Sequence, residues 1–185
     1  LNLHLSKPVI TFHINKTKRK IRMIPNKTIP AGLSSLNASQ RVIAEDLLNK
    51  VEKALRSNVE VEMEDRVFSI RGSAGCGKSF LTAVLIGELK NITSKMMLTC
   101  PTHRALAVAV KMAEEHKIEA KTIHSYLKCK VVENYSTGTL ELVQSLDKPI
   151  EPVDILFIDE SSLVNSALFE MVQTQLFNNT IKVVV

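Results

Sequence analysis

Short apolar runs alternate with longer stretches in which apolar residues recur every three to four positions, and this rhythm continues down most of the chain. Val67-Phe68-Ser69-Ile70 is β-branched and alternating enough for a strand, and Phe80–Ile86 carries apolar residues at helical spacing. Lys95–Cys100 reads as a buried strand ending at Pro101-Thr102-His103-Arg104, where Thr102 is a good N-cap for a helix of Ala, Leu and Val. Lys121–Leu127 reads as a short turn into a helix. Val153–Ile158 is a nearly continuous apolar strand, Ala167–Leu176 a helix, and Ile181–Val185 a further strand. Ahead of all these, Asn37 and Gln40 form a capping-box-like pair opening a helix whose stripe is Val42, Leu47, Leu48, Val51 and Leu55. Strands alternating with helices predict an α/β fold built on a doubly wound parallel sheet.

Two segments depart from that rhythm. Lys128–Pro152 carries hairpin signals: Val131-Val132-Glu133, a tip at Asn134–Gly138, and Thr139–Val143. Residues 1–35 read as an appendage, a second hairpin of Val9–Ile14 and Ile21–Ile24 joined by the basic turn Asn15–Lys20, with Pro25, Pro30 and Gly32 marking a linker. Ser57–Arg66 is a charged connector rich in glutamate.

Charge sharpens the picture of the first segment. The formal net charge is +5, from 24 basic and 19 acidic residues. Lys7, Lys16, Lys18, Arg19, Lys20, Arg22 and Lys27 lie in residues 1–35 with no acid among them, leaving 17 basic against 19 acidic residues for the remainder. The basic tip therefore suits either a solvated accessory hairpin or contact with nucleic-acid phosphates. Length suits one domain with a full core plus an appendage. No run reaches the roughly 18 apolar residues of a membrane span, and the start is unlike a signal peptide, so a cytoplasmic protein is expected, in the host cytoplasm if viral. Cys76, Cys100 and Cys129 are unevenly spaced, without the pattern of a disulfide framework or zinc site.

Gly72-Ser73-Ala74-Gly75-Cys76-Gly77-Lys78-Ser79 fits G-x-x-x-x-G-K-[ST] at every fixed position, between a predicted strand and a predicted helix. Glycines let several backbone N–H groups converge on one concavity, and the helix N-terminus adds partial positive charge. Lys78 would reach the β/γ-phosphates and the Ser79 hydroxyl would ligate Mg²⁺. Asp159-Glu160 closes the strand Val153–Ile158, and a carboxylate pair there needs a cation or a substrate. Asp159 would hold Mg²⁺, and Glu160 would orient and deprotonate the attacking water.

In this order the motifs resemble the first motor domain of a superfamily 1 helicase, of the phage Dda-like and RecD-like 5′→3′ branch. The resemblance covers residues 36–185 and rests on Leu36–Gln40, Gly72–Ser79, Cys100–Ala105, Thr122–Ser125 and Asp159–Ser162. It implies a P-loop NTPase of RecA-like fold that couples ATP hydrolysis to movement on single-stranded DNA. Gln40 would read the adenine edge. Pro101, Thr102 and His103, with Thr122 and His124, would line the DNA track. The insertion at 128–152 would be a duplex-splitting pin, with Tyr135 at its tip able to stack on a base. The second RecA-like domain of the same protein is the implied partner, since the Gly-Asp and Gln motif and the facing arginines would follow Val185. Without them the chain is expected to bind nucleotide weakly and not to unwind DNA. The competing reading is a P-loop switch protein without motor activity; a small-molecule kinase would show an arginine-rich lid segment, which the sequence lacks.

Overall fold

Val67–Gly72, rich in residues that favour the pleat, forms a central strand of a six-stranded sheet in which every pairing is parallel. The computed structural model describes residues 10–14, 32–56, 66–135, 138–145, 149–176 and 180–185. Its strands are β1 (Ile10–Ile14), β2 (Val67–Gly72), β3 (Met96–Cys100), β4 (Glu119–Thr122), β5 (Cys129–Asn134), β6 (Thr139–Gln144), β7 (Ile155–Ile158) and β8 (Ile181–Val184). Its α-helices are α1 (Ala38–Arg56), α2 (Lys78–Leu89), α3 (His103–His116), α4 (Ile123–Tyr126) and α5 (Ser166–Gln175). The sheet runs β1-β2-β8-β7-β3-β4, and β5 and β6 pair antiparallel as a separate ribbon.

The two directions of travel across this order explain the layers. From β1 through β4 the chain moves one way, and from β4 to β8 it returns. Right-handed crossovers then send α1, α2 and α3 to one face and α4 and α5 to the other. Alternate strand residues follow suit. Phe68, Ile70, Leu98, Phe157 and Val183 pack with Leu47, Leu85 and Ala109 on the first face. Met97, Leu156 and Ile158 pack with Ile123, Tyr126, Leu168 and Val172 on the second. Leu81, Leu85, Ile86 and Leu89 of α2 are fully buried, each contributing about 1.5–3 kcal/mol from apolar area removed from water.

Several details differ from the sequence expectation. Ile10–Ile14 is a strand, but it joins the edge of the main sheet parallel to β2, from Ile10 opposite Phe68 to Ile14 opposite Gly72. The expected basic turn and the strand Ile21–Ile24 lie outside the described residues. The buried stripe of α1 centres on Ile43, Leu47, Val51 and Ala54, with Leu48 and Leu55 at its margin and Val42 exposed. Lys121 and Thr122, expected in a turn, instead end the edge strand Glu119–Thr122, held by pairing with β3 from Met97–Glu119 to Cys100–Thr122. The predicted hairpin forms with Asn134 opposite Thr139. Its base is closed by Ser145 N–H donating to Lys128 O at 2.9 Å, and Cys129 Sγ meets Met171 Sδ of α5 at 3.1 Å.

One buried residue works against the core. Lys182 of β8 is 1% exposed, and its Nζ finds no hydrogen-bond partner among the described residues. Burial, helped by the charge of nearby Arg66, lowers its pKa to about 8. A lysine whose folded pKa lies below its unfolded value destabilises the fold while protonated. That penalty fades as pH rises from about 8 to the ordinary lysine range. Replacing Lys182 by methionine is expected to raise stability by about 1–3 kcal/mol at pH 7. The advantage over the parent should shrink as urea titrations are repeated at rising pH up to 10; a gap independent of pH would refute the assignment.

Candidate functional site

The phosphate loop takes its shape from two glycines. Gly75 and Gly77 adopt φ of 72° and 85°, in the left-handed region that other residues enter at a cost. Gly77 is the N-cap of α2 and supplies no side chain to cap it. The first intrahelical bond is Leu81 N–H to Gly77 O at 3.0 Å, so the N–H groups ahead of Leu81 have no carbonyl within the helix and open onto the loop. Lys78 folds back across the loop, its Nζ donating to Gly72 O at 2.8 Å and Ser73 O at 3.3 Å. Ser79, in the first turn of α2, is exposed beside it, as are Ser73, Ala74 and Gly75.

Gln40 meets this loop from α1. Asn37 and Gln40 close the expected capping box: Gln40 N–H donates to Asn37 Oδ1 at 3.0 Å, and Asn37 N–H donates to Gln40 Oε1 at 3.2 Å. The other end of the carboxamide turns to the loop, Nε2 donating to Cys76 O at 3.1 Å and Gly77 O at 3.4 Å. Gln40 is 5% exposed. Both of its polar atoms are thus engaged within the protein, a link the local sequence gave no sign of.

The acid pair stands on the same sheet edge. Asp159 N–H donates to Thr99 O of β3 at 2.9 Å, and Asp159 Oδ1 accepts from Glu160 N–H at 2.9 Å. Glu160 has φ of 51° and its side chain is exposed, a backbone strain of the kind that collects at working sites. Ser161 N–H donates to Val185 O at 2.9 Å, tying the turn to the end of β8. One strand, β8, separates β2 from β7. At about 4.8 Å per strand, the loop and the acid pair stand about 10 Å apart, the span that phosphates, a metal ion and a water would fill.

Among the described residues no group of three or more His, Cys, Asp or Glu stands ready to hold a metal alone. Magnesium usually takes one or two protein ligands and completes its shell with phosphate oxygens and water, and Ser79 with Asp159 fits that pattern. Cys100, buried at the end of β3, has its thiol pushed up to about 12, chiefly by burial and further by Asp159 and Glu160. It is a neutral packing group beneath the acids.

The remaining sequence candidates divide. Pro101 and Thr122 are buried, whereas Thr102 and His103 are exposed and His124 is half-buried. Thr102 Oγ1 accepts from Ala105 N–H at 3.1 Å and Thr122 Oγ1 from Ser125 N–H at 3.1 Å. Both threonines therefore cap the helices that follow β3 and β4. These neighbouring strand ends share the edge that bears the phosphate loop, on the far side of β7 from it. Tyr135 lies elsewhere, at the tip of the β5–β6 hairpin, and is 92% exposed.

No curated protein matches the sequence. No helix among the described residues is long and apolar enough to cross a membrane. A family match does exist, to the AAA domain, over residues 56–185, which spans the phosphate loop, both strand-to-helix turns and the acid pair but not α1. With that match, the parallel sheet and the glycine loop opening α2, the chain belongs to the AAA domain family and carries a P-loop nucleoside-triphosphatase fold of RecA-like form.

Proposed function

We propose that this domain is the ATP-hydrolysing first motor domain of a superfamily 1 DNA helicase of the 5′→3′ branch, stepping along single-stranded DNA. The observation that supports this reading best is the shared sheet edge. The phosphate loop after β2 and the acid pair after β7 lie in line with the helix starts after β3 and β4. Hydrolysis and strand contact would then act on one rigid frame.

In this reading Lys78 exchanges the Gly72 and Ser73 carbonyls for β/γ-phosphate oxygens, which are charged and hydrogen-bond about twice as strongly. Ser79 and Asp159 would hold Mg²⁺, which when bound would supply charge neutralisation to the phosphates. Glu160, exposed at the edge with its backbone N–H held by Asp159 Oδ1, takes the proton of the attacking water on its carboxylate. His103, His124 and the backbone of the two turns meet DNA phosphates. The threonine hydroxyls support those turns from beneath. Tyr135, projecting rather than folded back, offers a flat face to a base at the junction. A second RecA-like domain supplies the arginines and the other wall of the track, because movement needs two grips whose separation follows the nucleotide.

Lys78→Ala is expected to abolish tight ATP binding, and a titration with unchanged affinity would remove the phosphate-loop assignment. Glu160→Gln should keep ATP binding and lower turnover by about 10²-fold or more, since the amide cannot accept the proton. Equal loss of binding and turnover would make Glu160 structural. In the protein carrying both motor domains, single-stranded oligonucleotide should stimulate hydrolysis, and Tyr135→Ala should slow unwinding while sparing that stimulation. A nucleotide switch would show no stimulation by DNA at all.

A further inference from the structure

Phe80 stands one position past the phosphate loop, in the first turn of α2, and its side chain is 50% exposed. Phe68 and Phe157, by contrast, are buried in the sheet. A single exposed apolar residue is ordinary on any surface, and the surroundings of this one set it apart.

Leu81, Leu85 and Leu89 face the core, which puts Phe80 and Val84 on the outer side of α2. Val84 and Glu88, four and eight positions after Phe80, lie against the turn at Gly32. A Cβ on Gly32 would stand 3.6 Å from Val84 Cγ1 and 2.5 Å from Glu88 Oε1. From Gly32 the chain runs to Gln40, whose Nε2 reaches Cys76 O at 3.1 Å. The strap Gly32–Asn37 is therefore fixed at one end beside the far turns of α2 and at the other beside the phosphate loop, and Phe80 lies on the face between. Arg41 holds the strap in shape, with Nε donating to Leu33 O at 3.2 Å and Nη2 to Ser34 O at 3.2 Å and Leu36 O at 3.3 Å. Leu33 and Leu36 turn into the core, so neither covers the Phe80 ring.

The sheet order gives a bound nucleotide its direction. Asp159 and Glu160 stand beyond β8 from the loop, on the β7 side. A triphosphate whose terminal phosphate points at them leaves by its other end, toward the side of β2 that carries β1, where α1 packs against both β1 and α2. Phe80 and the strap lie at that exit. A half-exposed aromatic ring beside a polyphosphate site suits a heterocyclic base, which has a flat apolar face of its own.

We propose that Phe80 is the platform on which the base of the bound nucleotide stacks, so that it sets the preference for a nucleoside triphosphate over bare polyphosphate. The proposal rests on the phosphate-loop reading of Gly72–Ser79. Stacking engages the π-face of a base and not its hydrogen-bonding edge, so it adds to whatever contacts that edge makes.

The test is calorimetric titration of magnesium ATP and magnesium tripolyphosphate into the parent chain, Phe80→Ala, Phe80→Tyr and Lys78→Ala. Phe80→Ala is expected to weaken ATP about tenfold and to leave tripolyphosphate unchanged. Phe80→Tyr keeps a flat ring and is expected to bind ATP as the parent does. Equal loss of both ligands in Phe80→Ala would make the ring a support of the loop and overturn the proposal. Unchanged ATP affinity in that variant would overturn it as well, leaving the ring as a contact for another protein surface. Should Phe80→Ala lose its helical signal in circular dichroism, Phe80→Leu carries the same comparison, since it keeps apolar bulk without a ring and the same selective loss is expected. Lys78→Ala tests the reading underneath, because retained tripolyphosphate affinity there would show that the loop is not the phosphate site, whatever Phe80 does.

Discussion

A sheet whose strands all run the same way ends all of them on one edge, and most of this domain is a consequence of that constraint. Each crossover must start from that edge, so the helices that follow β2, β3 and β4 present their N-termini there together. Orphan N–H groups and the positive end of each helix dipole collect along one line. Negative groups brought to that line, whether phosphates or the Asp159 and Glu160 carboxylates, meet a field already arranged for them. An antiparallel sheet of the same sequence length would scatter these features over two edges.

The constraint also demands burial on both faces, because parallel strands are covered by their own crossovers. Phe157 faces the α1–α3 layer while Leu156 and Ile158 face the α4–α5 layer, and all three are fully buried. Such a strand tolerates polar groups only when they bond at once. Thr99 donates its hydroxyl to Phe157 O at 2.8 Å, and Thr180 donates to Val153 O at 2.9 Å. Lys182 is the exception, and it lies at the opposite end of β8 from the loop and the acids. The electrostatic weakness of the core therefore lies away from the edge that bears the loop and the acid pair.

What could be read from the sequence was what is encoded locally. The loop Gly72–Ser79 needs its glycines at Gly75 and Gly77 for backbone reasons alone, and both take positive φ. The capping box of Asn37 and Gln40 joins residues three positions apart and forms as its spacing implies. The β5–β6 hairpin announces itself by short strands around a turn. β4 was not legible, because Glu119-Ala120-Lys121-Thr122 has no apolar signal and is a strand only through its pairing with β3. β1 was legible as a strand and not as a member of this sheet, since its partner lies almost sixty residues on. The roles of Thr102 and Thr122 were ambiguous for a different reason. A hydroxyl at a helix start serves equally as a cap or as a phosphate contact, and only the bond to Ala105 or Ser125 shows which use the fold makes of it.

The resting loop is held by bonds of unequal kind, and the difference bears on how it changes when nucleotide arrives. Lys78 sits on the neutral carbonyls of Gly72 and Ser73, so a charged donor is satisfied by acceptors weaker than any phosphate oxygen. Moving that ammonium to a phosphate is downhill and needs only rotation of a flexible side chain. Gln40 is different: its donor already bonds neutral acceptors of its own class, and leaving them would strand the Cys76 carbonyl at the back of the loop, while Gly77 O keeps its bond from Leu81 N–H. Exchange is therefore easy at Lys78 and resisted at Gln40. On the proposed function, nucleotide binding would rearrange the front of the loop while α1 keeps its back in place, and the frame that carries Asp159 and Glu160 would stay in register with the phosphates.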